Sequence, residues 1–148
     1  MDELIKLLDK NLEYDGHELQ DECVVIHVSS TRVDAICPYC GMASRQVHSC
    51  MTRTLKDLPI QGKKVKILLR QKKYFCKNGT CNRRTFAERF EFFEPRAAVT
   101  KRLESEIMRV SLTQSSVAAS RYLRSSVADV SKSTICNLLK KGREEQCG

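Results

Sequence analysis

Two pairs of cysteines constrain this chain more than any other feature in it. The first pair sits in Cys37-Pro38-Tyr39-Cys40-Gly41, with two residues between the thiols. The second sits in Cys76-Lys77-Asn78-Gly79-Thr80-Cys81, with four residues between them. Each short loop can turn two sulfurs toward one point, and four thiolates from two loops suit a tetrahedral zinc ion at about 2.3 Å. Gly41, just past the first pair, and Asn78-Gly79, inside the second, supply the tolerance of positive φ that tight turns need. Four sulfurs fill the coordination sphere, so the spacing predicts one structural zinc ion held by Cys37, Cys40, Cys76 and Cys81, with no open position. The thiolates would be held as anions, so the metal-bound site counts about two negative charges.

Three other uses of cysteine compete with this reading. A disulfide framework is one, but eight cysteines in 148 residues lie below the density of secreted disulfide scaffolds. A redox Cys-x-x-Cys belongs in a βαβ setting with one pair, whereas two pairs stand here without that pattern. Inert buried thiols would not need two paired clusters. His48 and Cys50 fall between the pairs, and either could replace one ligand, although a mid-strand residue reaches a site between two loop tips poorly. Cys23 and His27 alternate with apolar neighbours and read as packed or surface residues.

The acidic start, Met1-Asp2-Glu3, is unlike a signal or transit peptide. No run approaches the ~20 apolar residues of a membrane span. The expectation is a cytoplasmic chain in a reducing setting, with no membrane partner. Hydrophobic residues make up 41% of the sequence and Trp is absent, modest material for a core that a metal would reinforce.

Net charge is +8, and its distribution is uneven. Residues 1–36 hold three Lys/Arg against nine Asp/Glu, a balance of −6. Residues 51–90 hold twelve against two, giving +10, and residues 96–143 hold ten against three, giving +7. Two basic segments behind an acidic one suggest surfaces that could face a polyanion, or simply solvated lysines.

Hydrophobic patterning predicts an α+β fold: a small antiparallel zinc-ribbon-like β domain followed by a three-helix helix-turn-helix domain. The β domain would span residues 1–90 with a short N-terminal helix over 2–9, residues 91–99 would be a linker, and residues 100–148 would hold the helices. Residues 23–28 form a β-branched run that reads as a strand, with 33–36 as its partner. Two further strands are expected over 43–55 and 63–75, joined by a turn at Asp57-Leu58-Pro59-Ile60-Gln61-Gly62. Val65, Ile67 and Leu69 alternate with Lys64, Lys66, Leu68 and Arg70, so one face is apolar and the other largely basic. Phe90, Phe92 and Phe93 lead into the linker, where packing is favoured over stacking on bases.

Thr100 can cap a first helix bearing Leu103, Ile107 and Val110. Ser115 or Ser116 can open a second, which contains Val117, Ala118, Ala119, Tyr122 and Leu123. Ser131 can cap a third over Lys132 to Lys141, with Gly142 at its end. Ile135, Leu138 and Leu139 share one side of that helix, and Ser133, Asn137, Lys140 and Lys141 project roughly opposite, with Thr134 at the flank. Such a helix can enter a major groove, although the connection from Leu123 to Ser131 is longer than a helix-turn-helix turn usually is.

The chain resembles the amino-terminal region of bacterial insertion-sequence transposases of the ISL-three group. The resemblance is carried by Cys37-Pro38-Tyr39-Cys40-Gly41, Val47-His48-Ser49 and the run Arg53-Thr54-Leu55-Lys56-Asp57-Leu58-Pro59-Ile60-Gln61-Gly62. It continues through Lys72-Lys73-Tyr74-Phe75-Cys76, Cys81-Asn82-Arg83-Arg84-Thr85-Phe86 and Glu88. It covers about residues 20–90 closely and the helical part loosely. It implies a zinc-binding module followed by a helix-turn-helix, together binding the element's terminal inverted repeats. The family's catalytic domain, with an acidic triad and divalent metal, comes later in a much longer chain, so no nuclease or strand-transfer activity is expected of these residues. Asp34, Asp57 and Asp129 are isolated acids and receive no catalytic role.

The expectation is therefore double-stranded DNA binding, by a transposase fragment or by a freestanding descendant acting as a nucleoid-associated regulator. Ser133, Thr134 and Asn137 would read bases. Lys132, Lys140, Lys141, Arg121 and Arg124 would hold phosphates near the helices, and Lys63, Lys64, Lys66, Lys72, Lys73, Arg83 and Arg84 would do so along the ribbon. The alternative is a protein–protein adaptor, with the small apolar helix recruiting a partner or pairing two copies as a homodimer.

Overall fold

A computed structural model describes residues 2–113, 116–128 and 134–139. Helix α1 spans Asp2–Leu8, with Asp2 and Glu3 in the first turn, where the helix dipole favours acids. Strands β1 (Leu12–Leu19), β2 (Cys23–Ser30), β5 (Val47–Ile60), β6 (Lys63–Phe75) and β7 (Thr85–Ala87) form one sheet. Its order is β1-β2-β6-β5, with β7 also pairing β6. Strands β3 (Ala35–Ile36) and β4 (Ala43–Ser44) make a separate two-stranded hairpin. Helices α2 (Lys101–Thr113) and α3 (Ser116–Ser126) follow, and residues 134–139 are again helical, designated α4.

Three expectations about the strands are corrected. The sheet is mixed rather than antiparallel: β2 runs parallel to β6, pairing Val24 with Val65, Ile26 with Ile67 and Val28 with Leu69. A parallel pair needs a long connection, and β3, β4 and β5 occupy it. The antiparallel partner of β2 is β1, which residues 33–36 were expected to supply. β1 was missed because its alternation is diluted by polar residues and broken by a bulge between Tyr14 and Gly16, where Gly16 takes φ 154°. The strand expected over 43–55 is instead two, β4 and β5, and β5 runs on to Ile60. The turn after it needs only Gln61 and Gly62, at φ 50° and 77°. Two successive positive φ values match the two-residue hairpin that suits the natural strand twist. Pro59 is tolerated inside β5 because the register slips between Asp57 and Ile60, so its missing N–H interrupts no regular ladder.

β6 lies at the centre because it can pair on both sides while burying Val65, Ile67 and Leu69. These join Val24, Ile26, Val28 and Leu55 on one face of the sheet, which is covered by Ile5 of α1 and by Phe90, Phe92 and Phe93. The three phenylalanines pack edge-on and stacked at ring separations of 4.9–6.0 Å, an arrangement that aromatic quadrupoles favour. The opposite face carries Lys66 and Arg70, both exposed, as the alternation predicted.

A second core gathers Val99, Leu103, Ile107 and Val110 with Ala119, Leu123, Val127, Ala128 and Ile135. Leu138 and Leu139 pack against it, so the apolar side of α4 faces α2 and α3. Thr100 caps α2 as expected, its Oγ1 accepting from the Leu103 N–H at 3.3 Å. α3 closes through Val127 and Ala128, whose N–H groups both donate to the Leu123 carbonyl. The expected capping residues Ser115 and Ser131, together with Gly142, lie outside the described residues.

Candidate metal centre

Ala35-Ile36 pairs with Ala43-Ser44, and this short ladder closes the loop that carries the first two thiols. The Cys37 N–H donates to the Met42 carbonyl at 2.9 Å, and the Gly41 N–H donates to the Cys37 carbonyl at 2.8 Å. Gly41 sits at φ 79°, which a β-carbon would strain. The second loop leaves the end of β6. There the Cys76 N–H donates to the Arg84 carbonyl at 2.7 Å, and Cys81 N–H to the Asn78 carbonyl at 3.1 Å. Asn78 Oδ1 accepts from the Thr80 N–H at 3.0 Å and the Thr80 hydroxyl at 2.7 Å, bending the loop around itself.

The two loops bring Cys37, Cys40, Cys76 and Cys81 together with all four sulfurs within 4.8 Å of one another. The Cys40 and Cys76 sulfurs are 3.6 Å apart. A tetrahedron with Zn–S bonds of about 2.3 Å has S···S edges of about 3.8 Å, so the four sulfurs are grouped closely enough to converge on one zinc ion. Cys37 is buried and the other three are half-buried. Behind the sulfurs, Ala35, Tyr74 and Phe86 form a small apolar floor, with the two rings stacked at 5.8 Å. The site is a structural zinc centre of the ribbon type.

The thiols are electrostatically unequal. Cys40 is lowered to about 7, chiefly by a hydrogen bond from the Met42 backbone, with Asn78, Cys76 and Cys37 adding to it against the effect of burial. At Cys76 the Asn78 backbone also favours the thiolate, but burial and the adjacent Cys40, Cys37 and Cys81 outweigh it and push the thiol up to about 12. One sulfur gives up its proton readily, and a second negative charge among close neighbours then becomes costly. A divalent cation at the centre of the four removes that cost. The Arg83 N–H also points to Cys81 Sγ at 3.4 Å.

His48 and Cys50 are not part of this cluster. His48 is exposed, pairs with Ser49 Oγ at 2.9 Å and sits edge-on to Phe75 at 4.8 Å, and Cys50 is exposed on β5. Cys23 is half-buried, its Sγ turned to the Val24 carbonyl, and His27 lies 3.2 Å from Glu18 Oε1.

The basic residues are dispersed over several surfaces. Lys66 is exposed and Lys64 half-buried, and with Lys56, Gln20, Glu22, Cys23 and Ala128 they border a cavity of about 210 Å³ beside the helical core. Lys63 Nζ donates to the Gln20 carbonyl at 3.4 Å. Lys72 Nζ donates to the Arg32 carbonyl, and Lys73 is half-buried where β6 meets β7. Arg83 and Arg84 are exposed at the zinc loops, Arg83 lying 4.7 Å over the ring of Tyr39. Arg121 and Arg124 are exposed on α3, Asn137 is exposed on α4, and Thr134 is half-buried. Lys132, Ser133, Lys140 and Lys141 lie outside the described residues.

Two acids within the motifs that carry the resemblance, Asp57 and Glu88, are buried. Glu88 accepts from Ser30 Oγ at 2.7 Å and from the Lys72 N–H at 2.8 Å, while its own carbonyl accepts from Gln71 Nε2. It ties β2, β6 and the strand that follows the zinc loops into one unit. Asp57, read as an isolated acid, is buried between β5 and the start of α2, where it accepts from Thr100 Oγ1 at 2.8 Å and Arg102 Nε at 2.7 Å. Their signal in the sequence is weak: each is a lone acid in a strongly basic stretch, which marks a pairing need but not the partner.

Residues 34–85 match the family described as the zinc-finger of transposase IS204/IS1001/IS1096/IS1165. The matched segment begins just before the first cysteine pair and ends just after the second. No curated protein matches the chain, and no solved structure does. Among the described residues, no helix is long and apolar enough to cross a membrane.

Proposed function

We propose that this chain is a sequence-specific, double-stranded DNA-binding protein of transposase type. In this reading it recognises the terminal inverted repeats of a mobile element, either within a longer transposase or as a regulator that competes with one, in the cytoplasm of a bacterium. The observation that carries the reading is the transposase zinc-finger match over the residues that build the four-sulfur centre. Support comes from the charge of +10 over residues 51–90, part of which lines the open face of β6. The centre itself has four protein ligands, so zinc serves as a cross-link between loops.

In this reading Ser133, Thr134 and Asn137 contact base edges. Lys132, Lys140, Lys141, Arg121 and Arg124 hold phosphates beside the helices, and Lys63, Lys64, Lys66, Lys72, Lys73, Arg83 and Arg84 do so along the ribbon. Lys72 would first have to release the Arg32 carbonyl. The test is selection of bound sequences from a random duplex pool with zinc-loaded protein, followed by a salt titration of the selected duplex. Lys66→Ala should weaken binding to every sequence alike and lower the salt slope by about one. Asn137→Ala should erase preference at one position, at about 1–3 kcal/mol. Equal losses on selected and random DNA for both variants would contradict the division of roles.

A second reading rests on Leu4 and Leu7, which stand 61% and 82% exposed on α1. They flank a cavity of about 330 Å³ bordered by Leu58, Pro59 and Ile60. An apolar edge of this kind suits an adaptor or a self-pairing surface. An adaptor would give no steep salt-dependent DNA affinity, and self-pairing would give a sedimentation coefficient that rises with protein concentration.

A further inference from the structure

The stretch between the sheet and α2 is fastened along β5 residue by residue. The Arg53 guanidinium donates to the Pro95 carbonyl at 2.7 Å and the Ala97 carbonyl at 2.8 Å, and lies 5.3 Å over the ring of Phe93. Three residues on, the Lys56 N–H donates to the Ala98 carbonyl and the Lys56 carbonyl accepts from the Thr100 N–H, each at 2.9 Å. Lys56 and Val99 thereby form a parallel bridge, an added strand of minimal length on the free edge of β5. The buried Asp57 carboxylate accepts from the Thr100 hydroxyl and from Nε and Nη2 of Arg102. Leu58, next along the strand, packs into the helical core.

These contacts do not resemble a tether. Thr100 Oγ1 donates to Asp57 and at the same time caps α2, so the start of the helix is held by an acid on the sheet. A buried carboxylate with three donors is costly to uncover, because the charge is then left without partners. The direction of α2 is therefore set by β5, and α3 and α4 follow through the shared core.

We propose that Arg53, Asp57 and Arg102 are positioning residues that lock the helical segment onto the sheet. The zinc ribbon and the helices then meet duplex DNA as one body, with a single permitted spacing between their contacts. The proposal rests on the DNA-binding reading above. Two modules on a flexible tether tolerate a range of spacings, whereas two modules on a rigid frame lose joint engagement once geometry forbids it.

The experiment compares the zinc-loaded full chain on its selected duplex with the same duplex carrying an insertion between the segments protected by ribbon and helices. An insertion of about five base pairs turns one segment by half a helical turn. The wild-type chain should lose at least about tenfold in affinity on the inserted duplex. In Arg102→Ala, whose side chain is half exposed and whose loss spares the core, and in Arg53→Gln, the loss should shrink to under about threefold. Equal wild-type affinity for both duplexes, or an undiminished penalty in both variants, would overturn the proposal. A second readout needs no DNA: in the wild type the Thr100 amide should exchange slowly, and in Arg102→Ala faster by at least about tenfold, while Ile67 and Leu69 stay unchanged. Absence of any duplex binding would sink the DNA reading alone, and rapid wild-type exchange at Thr100 would then overturn the clamp on its own terms.

Discussion

Stripping the metal should melt one corner of this molecule and spare the rest. The ribbon's own apolar floor is small: Ala35, Cys37, Tyr74 and Phe86. Tyr74 and Phe86 are its only large side chains, contributing about 1.5–3 kcal/mol each by burial. A structural zinc ion contributes about 10–16 kcal/mol in isolated fingers, so the metal dominates this region. The main sheet core is a different set of side chains, centred on Ile26, Val28, Leu55, Ile67 and Leu69 beneath Phe90, Phe92 and Phe93. It shares no residue with the floor behind the sulfurs. Chelation, followed by amide hydrogen exchange, should therefore speed exchange at Cys37, Gly41, Cys76 and Cys81 by at least about 10³-fold, or about 4 kcal/mol. These are the amides bonded to Met42, Cys37, Arg84 and Asn78. Ile26 and Ile67 should keep their protection. Loop amides still protected in protein verified free of metal would refute the dominance of zinc. Loss of protection at Ile67 in step with Cys76 would refute the separation of the two cores.

Two further outcomes follow from the same contacts. Glu88→Ala should cost about 2–4 kcal/mol in urea unfolding, since it strands the buried Ser30 hydroxyl and the Lys72 N–H together; a cost below about 0.5 kcal/mol would mean that water replaces the carboxylate. Asp57→Ala should cost about 2–4 kcal/mol, less than a fully buried ion pair because Arg102 is half in water. Its melting temperature should be recovered in part by Arg102→Ala in the same chain, and strictly additive losses would show the pair to be uncoupled.

The thiol spacing alone determined the metal site, because ligand geometry is local: two short loops with turn residues can converge on an ion whatever sheet carries them. The same holds for the face of β6, whose alternation of Val65, Ile67 and Leu69 with Lys66 and Arg70 is written in the residues and survives in the fold. Thr100 as a cap was legible for the same reason, since the capping bond spans only three residues. Partner choice was not local. That β2 lies parallel to β6 and antiparallel to a strand of weak pattern depends on which strand can bury one face while pairing on both edges, and only the assembled sheet decides that. Asp57 and Glu88 make the point most plainly. Asp57 read as an isolated acid and nothing local marked Glu88 for burial, because the groups that close over them stand 43 and 58 positions away along the chain, and such distances are a property of the tertiary structure alone.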